Sequence, residues 1–438
     1  MNKILTIAAL ALVLSACSNE DNDIQTPVEQ PAKSEGIPFT ATISIGENAM
    51  TRALTEDATN NQIVPTWVAG EKVALIHNGV NDEMSVASVS GGVATITGTI
   101  TGTPTTGDAV TIIYPSTAAD GTTGNVKANL LAAQDGTLAT IAANYDVRKG
   151  TGTLKVSGTA SLNGNVSLTN QNAIFKFTLS GPTIDASHPL VIKKGENEVV
   201  TTVTPTSSTT SVYVAMPPAA SSTYKFFVKT NNNKYIKSGT AAITAGKYYQ
   251  TTLDMPARYP LALANATEED LGSVIGADGN IYLNMTAATG ASPATTAVAM
   301  IAYLGNGSDC TNGLAIQLNA SPASMSWSDA CNYSSYPSIT GNPGTWRLPS
   351  KADWQNMFVG CAKSGDAGAG DTMDPIAGFK EKIGATGITW QSDYYWSSTV
   401  SGSSAWEVVV RLNGGYAYAY FGKYGTSSSF HVLGCLPF

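Results

Sequence analysis

The chain has 438 residues, a net charge of −8 and only 13% charged side chains. An acidic, sparsely charged, Ser/Thr-rich surface argues against nucleic acid as a partner and against a basic membrane-binding face. The length is enough for two to four domains.

The first elements set the compartment. Asn2-Lys3 precedes an apolar run over residues 4–14, which ends in Leu14-Ser15-Ala16-Cys17. A short charged start, an apolar stretch too short to span a bilayer and a small residue before the cut make residues 1–16 a secretory signal peptide. Residues 17–36 are polar and rich in Pro, Glu and Gln, and read as a flexible tether. Phe39-Thr-Ala-Thr-Ile-Ser-Ile45 then alternates cleanly, which predicts a half-buried strand. Further short strands are predicted over 92–99, 109–114, 173–179, 190–193, 211–215, 224–229 and 247–253, each bounded by Gly, Pro, Asn or Ser/Thr clusters. Helical periodicity is scarce. The expectation is two β-sandwich lobes, 37–140 and 141–256, with a short helix or a long loop over 118–143.

Composition changes after Met255-Pro-Ala-Arg-Tyr-Pro260. Six of the seven tryptophans and four of the five cysteines follow Gly305. Asp278-Gly279 between apolar pieces predicts a hairpin. Ser326 reads as a helix cap, and Ser350-Lys-Ala-Asp353 as a capping box ahead of an apolar stripe of Trp354, Met357 and Phe358. Strands resume over 394–398, 405–411, 416–421 and 430–435. Residues 257–438 are therefore expected to form an α+β domain. Tyr416, Tyr418 and Tyr420 alternate with Ala417 and Ala419, so one strand face carries the tyrosines. If the alanines meet a crowded core, the tyrosines face solvent and offer a contact surface; with the opposite facing they fill the core. Asn413 and Tyr424 extend the candidate ligand-binding set.

No catalytic constellation is present. His77, His188 and His431 are scattered, and no zinc spacing, nucleophile elbow or phosphate loop occurs. No cofactor is expected. Asp366, Asp371 and Asp374, in a Gly-rich loop, are the candidates for a calcium ion, though their spacing fits no EF-hand.

The cysteine after Leu-Ser-Ala resembles a bacterial lipoprotein signal, which implies that Cys17 is lipidated; the acidic residues at 20–23 resemble a surface-export signal. Thr51-Arg52-Ala53, Trp67-Val-Ala-Gly-Glu-Lys-Val73, Tyr213-Val-Ala-Met-Pro-Pro218 and Thr244-Ala-Gly-Lys-Tyr-Tyr249 resemble fimbrillin-type pilins of type V pili, over roughly 37–256. That resemblance implies transthyretin-like sandwich lobes, protease cleavage at Arg52 and assembly by donor-strand exchange with other pilin subunits. Arg52 read by itself is equally an ordinary loop arginine. Residues 262–438 resemble the C-type-lectin-like fold through Trp327…Cys331…Gly344-Thr-Trp-Arg-Leu-Pro-Ser350 and Tyr395-Trp-Ser-Ser398. This implies disulfides Cys331–Cys435 and Cys310–Cys361, although sequence alone permits three pairings. The lectin motifs for calcium-bridged sugars are absent. Together the resemblances imply a non-enzymatic tip adhesin, lipid-anchored at the outer membrane and present in the fimbrium, binding a host or bacterial surface glycan or protein. A non-polymerising glycan-binding lipoprotein and a formylglycine-generating-type enzyme are the alternatives.

Overall fold

The computed structural model describes residues 36–45, 55–57, 62–64, 67–306, 310–341, 344–388, 390, 393–412 and 417–438. Cys17, Arg52, Asn413 and Tyr416 lie outside the described residues. The protein is mainly β, with two all-β lobes followed by an α+β head. No helix among the described residues is long and apolar enough to cross a membrane.

The first strand, Ile37–Ser44, has the expected alternation. Phe39, Ala41 and Ile43 are buried, as is Ile45 beyond it, while Thr40 and Thr42 are exposed. It pairs antiparallel with Val93–Ile100 along its whole length. Its other edge runs parallel to Thr159–Leu162 and Val166–Ser167. Beyond Val93–Ile100 the order continues through Val80–Ser90, Lys72–His77, Ala109–Tyr114 and Arg148–Ser157. That last strand pairs back with Thr159–Leu162, so the sheet closes on itself. Its interior is filled by Phe39, Ile43, Trp67, Leu75, Met84 and Ile96, among others.

The second lobe packs two separate sheets. Ser211–Met216, Ala173–Ser180 and Tyr248–Asp254 form one. Lys234–Ile243, Ala219–Lys229, Leu190–Lys194, Glu198–Val203 and Ala133–Gln134 form the other. Phe177, Leu190, Val214 and Val228 lie between them.

The expected lobe boundary at 140/141 does not divide the strands. The chain enters the second lobe early, because Ala133–Gln134 pairs with Glu198–Val203 and Ile141 packs on Ile174. It then returns: Arg148–Ser157, Thr159–Leu162 and Val166–Ser167 complete the first lobe. The reason is closure, since without residues 148–167 the first sheet has nothing to join its two ends. The undecided stretch over 118–143 holds the short strand Ala133–Gln134 and single turns, including Leu138–Thr140 and the wider turn Ile141–Tyr145.

In the head, Leu261–Ala262, Asn280–Tyr282, Val274–Gly276, Ala297–Leu304, Gly313–Gln317 and Cys435–Pro437 form a six-stranded sheet in that order. Gly279 takes φ of +85° in the expected hairpin, a conformation that favours glycine. A second sheet runs Thr372–Met373, Tyr418–Gly425, Ser404–Arg411, Asp393–Ser401. The helix Lys351–Gly360 starts at Ser350, whose hydroxyl accepts from Asp353 N while the Asp353 carboxylate accepts from Ser350 N. Arg347 pairs with that same carboxylate. Trp354, Met357 and Phe358 on this helix are buried between the sheets. A further helix, Ala377–Thr386, has no capping side chain at its first turn to announce it in the sequence.

Neither expected disulfide, Cys331–Cys435 or Cys310–Cys361, is formed, because Cys331, Cys361 and Cys435 are not in disulfides. Cys331 is exposed at the end of its helix, while Cys435 is buried in the closing strand. The Cys361 thiol donates to Ala302 O at 3.2 Å, and the half-buried Cys310 thiol to Gly305 O at 3.5 Å. Burial pushes the Cys361 thiol up to about 12.

Candidate functional site

The first strand is held in a slot built by residues far along the chain. Beyond the ladder bonds, Leu168 N donates to Ser44 O at 2.7 Å, and the Asn165 amide to the Ser44 hydroxyl at 3.0 Å. The buried Arg148 guanidinium donates to Ile45 O at 3.0 Å and pairs with Asp146 at 3.2 Å. Every inward side chain of the strand contacts core, so the slot is an apolar groove with strand edges on both sides. It is the geometry of strand addition, in which main-chain bonds hold a segment and alternate side chains set its register.

Four residues after Arg52, Glu56 is gripped by the second lobe. Its carboxylate accepts from Lys176 Nζ at 2.8 and 2.9 Å, from Tyr248 at 2.8 Å, from Gln250 at 3.0 Å, and from Tyr213. The Lys176 ammonium, then the Tyr213 hydroxyl, hold Glu56 down at about 2. Arg52 thus lies in the stretch of chain between two fixed points, the first strand and Glu56.

On the head, Ala417, Ala419 and Phe421 face the core and are buried. The opposite face of Tyr418–Gly425 therefore points outward, with Tyr418 half-buried and Tyr420 and Tyr424 among the most exposed large apolar side chains described. Across the sheet, Tyr420 sits opposite Val409 and Tyr418 opposite Arg411. Tyr394 is opposite Val409 on the far side, and the Arg411 guanidinium lies 5.3 Å from its ring centre. The structure so brings Tyr418, Tyr420 and Tyr424 onto one face with Tyr394 and Arg411, which sequence reasoning did not assign. Tyrosine and arginine on a flat strand face suit a contact with sugar rings or protein. Of the head tryptophans, Trp354, Trp390 and Trp396 are buried; Trp406 is half-buried, with Lys351 Nζ 3.6 Å above its ring.

Sequence reasoning also missed Glu407, although a charge inside the run Ala405-Trp-Glu-Val-Val-Val410 was the available signal. Glu407 is wholly buried and neither carboxylate oxygen has a hydrogen-bond partner. It lies opposite Gly422, the one position of the outward series 418, 420, 422, 424 without a side chain. A Cβ at Gly422 would collide with its Oε1, so the glycine makes room for the carboxyl. Burial alone pushes Glu407 up to about 7.

Two of the three loop aspartates, Asp366 and Asp371, have partners within the head. Asp366 accepts from Ala377 N and Gly378 N at 3.0 and 2.7 Å, satisfying the first turn of the Ala377–Thr386 helix. Asp371 pairs with Lys351. Among the described residues no group of three or more His, Cys, Asp or Glu is placed to hold a metal ion.

No protein-family model and no curated protein matches the chain. Among solved structures, a fimbrial protein from Bacteroides ovatus is similar at 13% identity and a TM-score of 0.25, covering 92% of this chain and 99% of its own. The tip fimbrial protein Mfa3 from Porphyromonas gingivalis, with a C-terminal truncation, is similar at 9% identity and a TM-score of 0.22, covering 48% and 85%. At these TM-scores the likeness bears no functional weight.

Proposed function

We propose that the chain is an adhesive subunit of a surface fimbria, assembled by strand exchange and carrying its ligand-binding surface on the head. The observation that carries this reading is the first strand. It is N-terminal to Arg52, pairs along its whole length with Val93–Ile100, and buries Phe39, Ala41, Ile43 and Ile45 in the core of the first lobe. Cleavage after Arg52 leaves the strand attached by non-covalent contacts alone. Its departure exposes a groove flanked by strand edges, which a strand from a neighbouring subunit can fill. Lipidation at Cys17 anchors the uncut chain to the outer membrane, and the same cut frees it.

The lectin-like reading of the head places the ligand on the outward face of Tyr418, Tyr420 and Tyr424, with Asn413 and Tyr416 in the adjoining segment. The ligand is a glycan or protein on a host or bacterial surface. No catalytic step is assigned. A lobe that accepts a strand, joined to a head that carries the ligand face, suits a tip subunit.

Arginine-specific proteolysis tests the assembly step. The expected result is one early cut after Arg52, then loss of residues 37–45 under mild denaturant. A synthetic peptide of that sequence should rebind and raise the melting temperature. Resistance at Arg52, or a cut chain indifferent to the peptide, defeats strand exchange.

A further inference from the structure

A recessed site lies in the head, lined by none of Tyr418, Tyr420 and Tyr424. Leu318, Ala320, Ile388, Leu433 and the edges of Trp390 and Tyr395 line a cavity of about 240 Å³. Its polar lining is Asn319, Ser321, Asp393 and His431.

Ser321, Asp393 and His431 are held by hydrogen bonds. His431 Nε2 lies 3.2 Å from Asp393 Oδ2, and Nδ1 lies 3.1 Å from Ser321 O. Asp393 Oδ1 accepts from Tyr394 N at 2.8 Å. The Trp390 indole donates to Leu318 O at 2.8 Å, which fixes that wall. The site is therefore built before any ligand arrives.

The trio Ser321, His431 and Asp393 is not a catalytic triad. His431 meets the backbone carbonyl of Ser321, not its hydroxyl. The hydroxyl is buried, donates to Ala323 O at 3.0 Å and accepts from Val432 N at 2.9 Å. No base reaches it, so it is no nucleophile. Two side chains of metal-ligating type are also too few to hold a metal ion by themselves.

We infer that this cavity binds a single pyranose ring. The inference rests on the reading of the head as the ligand-binding part, but not on the tyrosine strand. Four features point to the ligand class. The volume is below the about 300–1,000 Å³ of drug-sized sites, which suits a single ring. The apolar walls suit the C–H face of a sugar. Each Asp393 oxygen keeps a further lone pair for a ligand hydroxyl, and the Asn319 amide adds both a donor and an acceptor. The carboxylate is held by His431 at 3.2 Å, so its remaining acceptor sites are fixed before a ring of hydroxyls arrives.

Saturation-transfer NMR on the full chain, with the methyl glycosides of glucose, galactose, mannose and N-acetylglucosamine as probes, tests this. At least one glycoside should receive saturation. Asn319→Trp, at an exposed position, should block the cavity and weaken binding by about tenfold or more, as should Asp393→Ala, while Val400→Ser, at an exposed position in neither site, should leave it unchanged. Near-UV circular dichroism confirms that each variant is folded. No transfer to any glycoside, or equal transfer in the two cavity variants and the unsubstituted chain, overturns the site. Because adhesion through the tyrosines is measured separately, the two readings fail independently.

Discussion

At the scale of single residues, Glu407 is the least comfortable group in the head. A carboxyl raised from 4.5 to about 7 by burial binds a proton more tightly in the folded head than in the unfolded chain. Its folded value lies above its unfolded one, so the head is relieved of the penalty below about pH 4.5. Stability then falls as pH rises toward 7, by about 3 kcal/mol in all. Glu407→Gln should flatten the dependence of melting temperature on pH between 5 and 8 and raise it at pH 8. An unchanged slope in that window means Glu407 finds a partner in solution. None of this was legible beforehand, because the sequence shows a charge in a strand but not that both sheet faces are covered there. The same holds for Asp393 and His431: they stand 38 positions apart, each unremarkable alone, and only the parallel approach of Tyr395 and His431 brings them together.

At the scale of elements, strands proved the most readable features and their partners the least. The first strand shows its burial directly in period-two alternation, because one face must be apolar wherever the other is wet. The two Ser-capped helices are equally local: Ser326 accepts from Asp329 N and Ser350 from Asp353 N, both within three residues. The facing of the tyrosine strand was left open by the sequence and decided by packing, since small Ala417 and Ala419 fit beneath the Lys351–Gly360 helix and its neighbours in the core. Tyr420 and Tyr424 gain little burial within the head itself. Changing Tyr418, Tyr420 and Tyr424 together to Ser should therefore lower stability by at most about 1–2 kcal/mol while abolishing attachment to a cell or glycan array. Full attachment by a folded triple variant removes this face from consideration.

At the scale of the whole molecule, the lobes are interlaced rather than strung in series, and no local pattern signals this. Gln134 is the clearest joint. Its buried amide donates to Ala215 O at 2.8 Å and accepts from Ala215 N at 2.9 Å, gripping the edge of the three-stranded sheet 81 positions later. It also lies within hydrogen-bond reach of Thr201 Oγ1 at 3.2 Å. Gln134→Ala strands both main-chain groups of Ala215 and should cost about 2 kcal/mol or more. The lobes should melt together in the unsubstituted chain, with the second lobe melting earlier in the variant. Coincident melting of both lobes at an unchanged temperature contradicts that coupling. The head is fastened to the second lobe in a similar way. Arg258 N donates to Lys234 O at 2.9 Å, Lys225 pairs with Glu269 at 3.0 Å, and Asn284 donates to Asn231 O at 2.9 Å.

The crossings of the chain between lobes, near 130–133, 145–147 and 170–173, have a mechanical consequence. Under the proposed function, a subunit gripped through its groove and through its head is put under tension. If the lobes were joined by one linker, traction would fall on that linker alone. Here it divides among the crossing segments, and Ala133–Gln134 must peel from both sheets of the second lobe before the lobes part. Such a joint resists shear flow by sharing tension instead of by tightening any one bond.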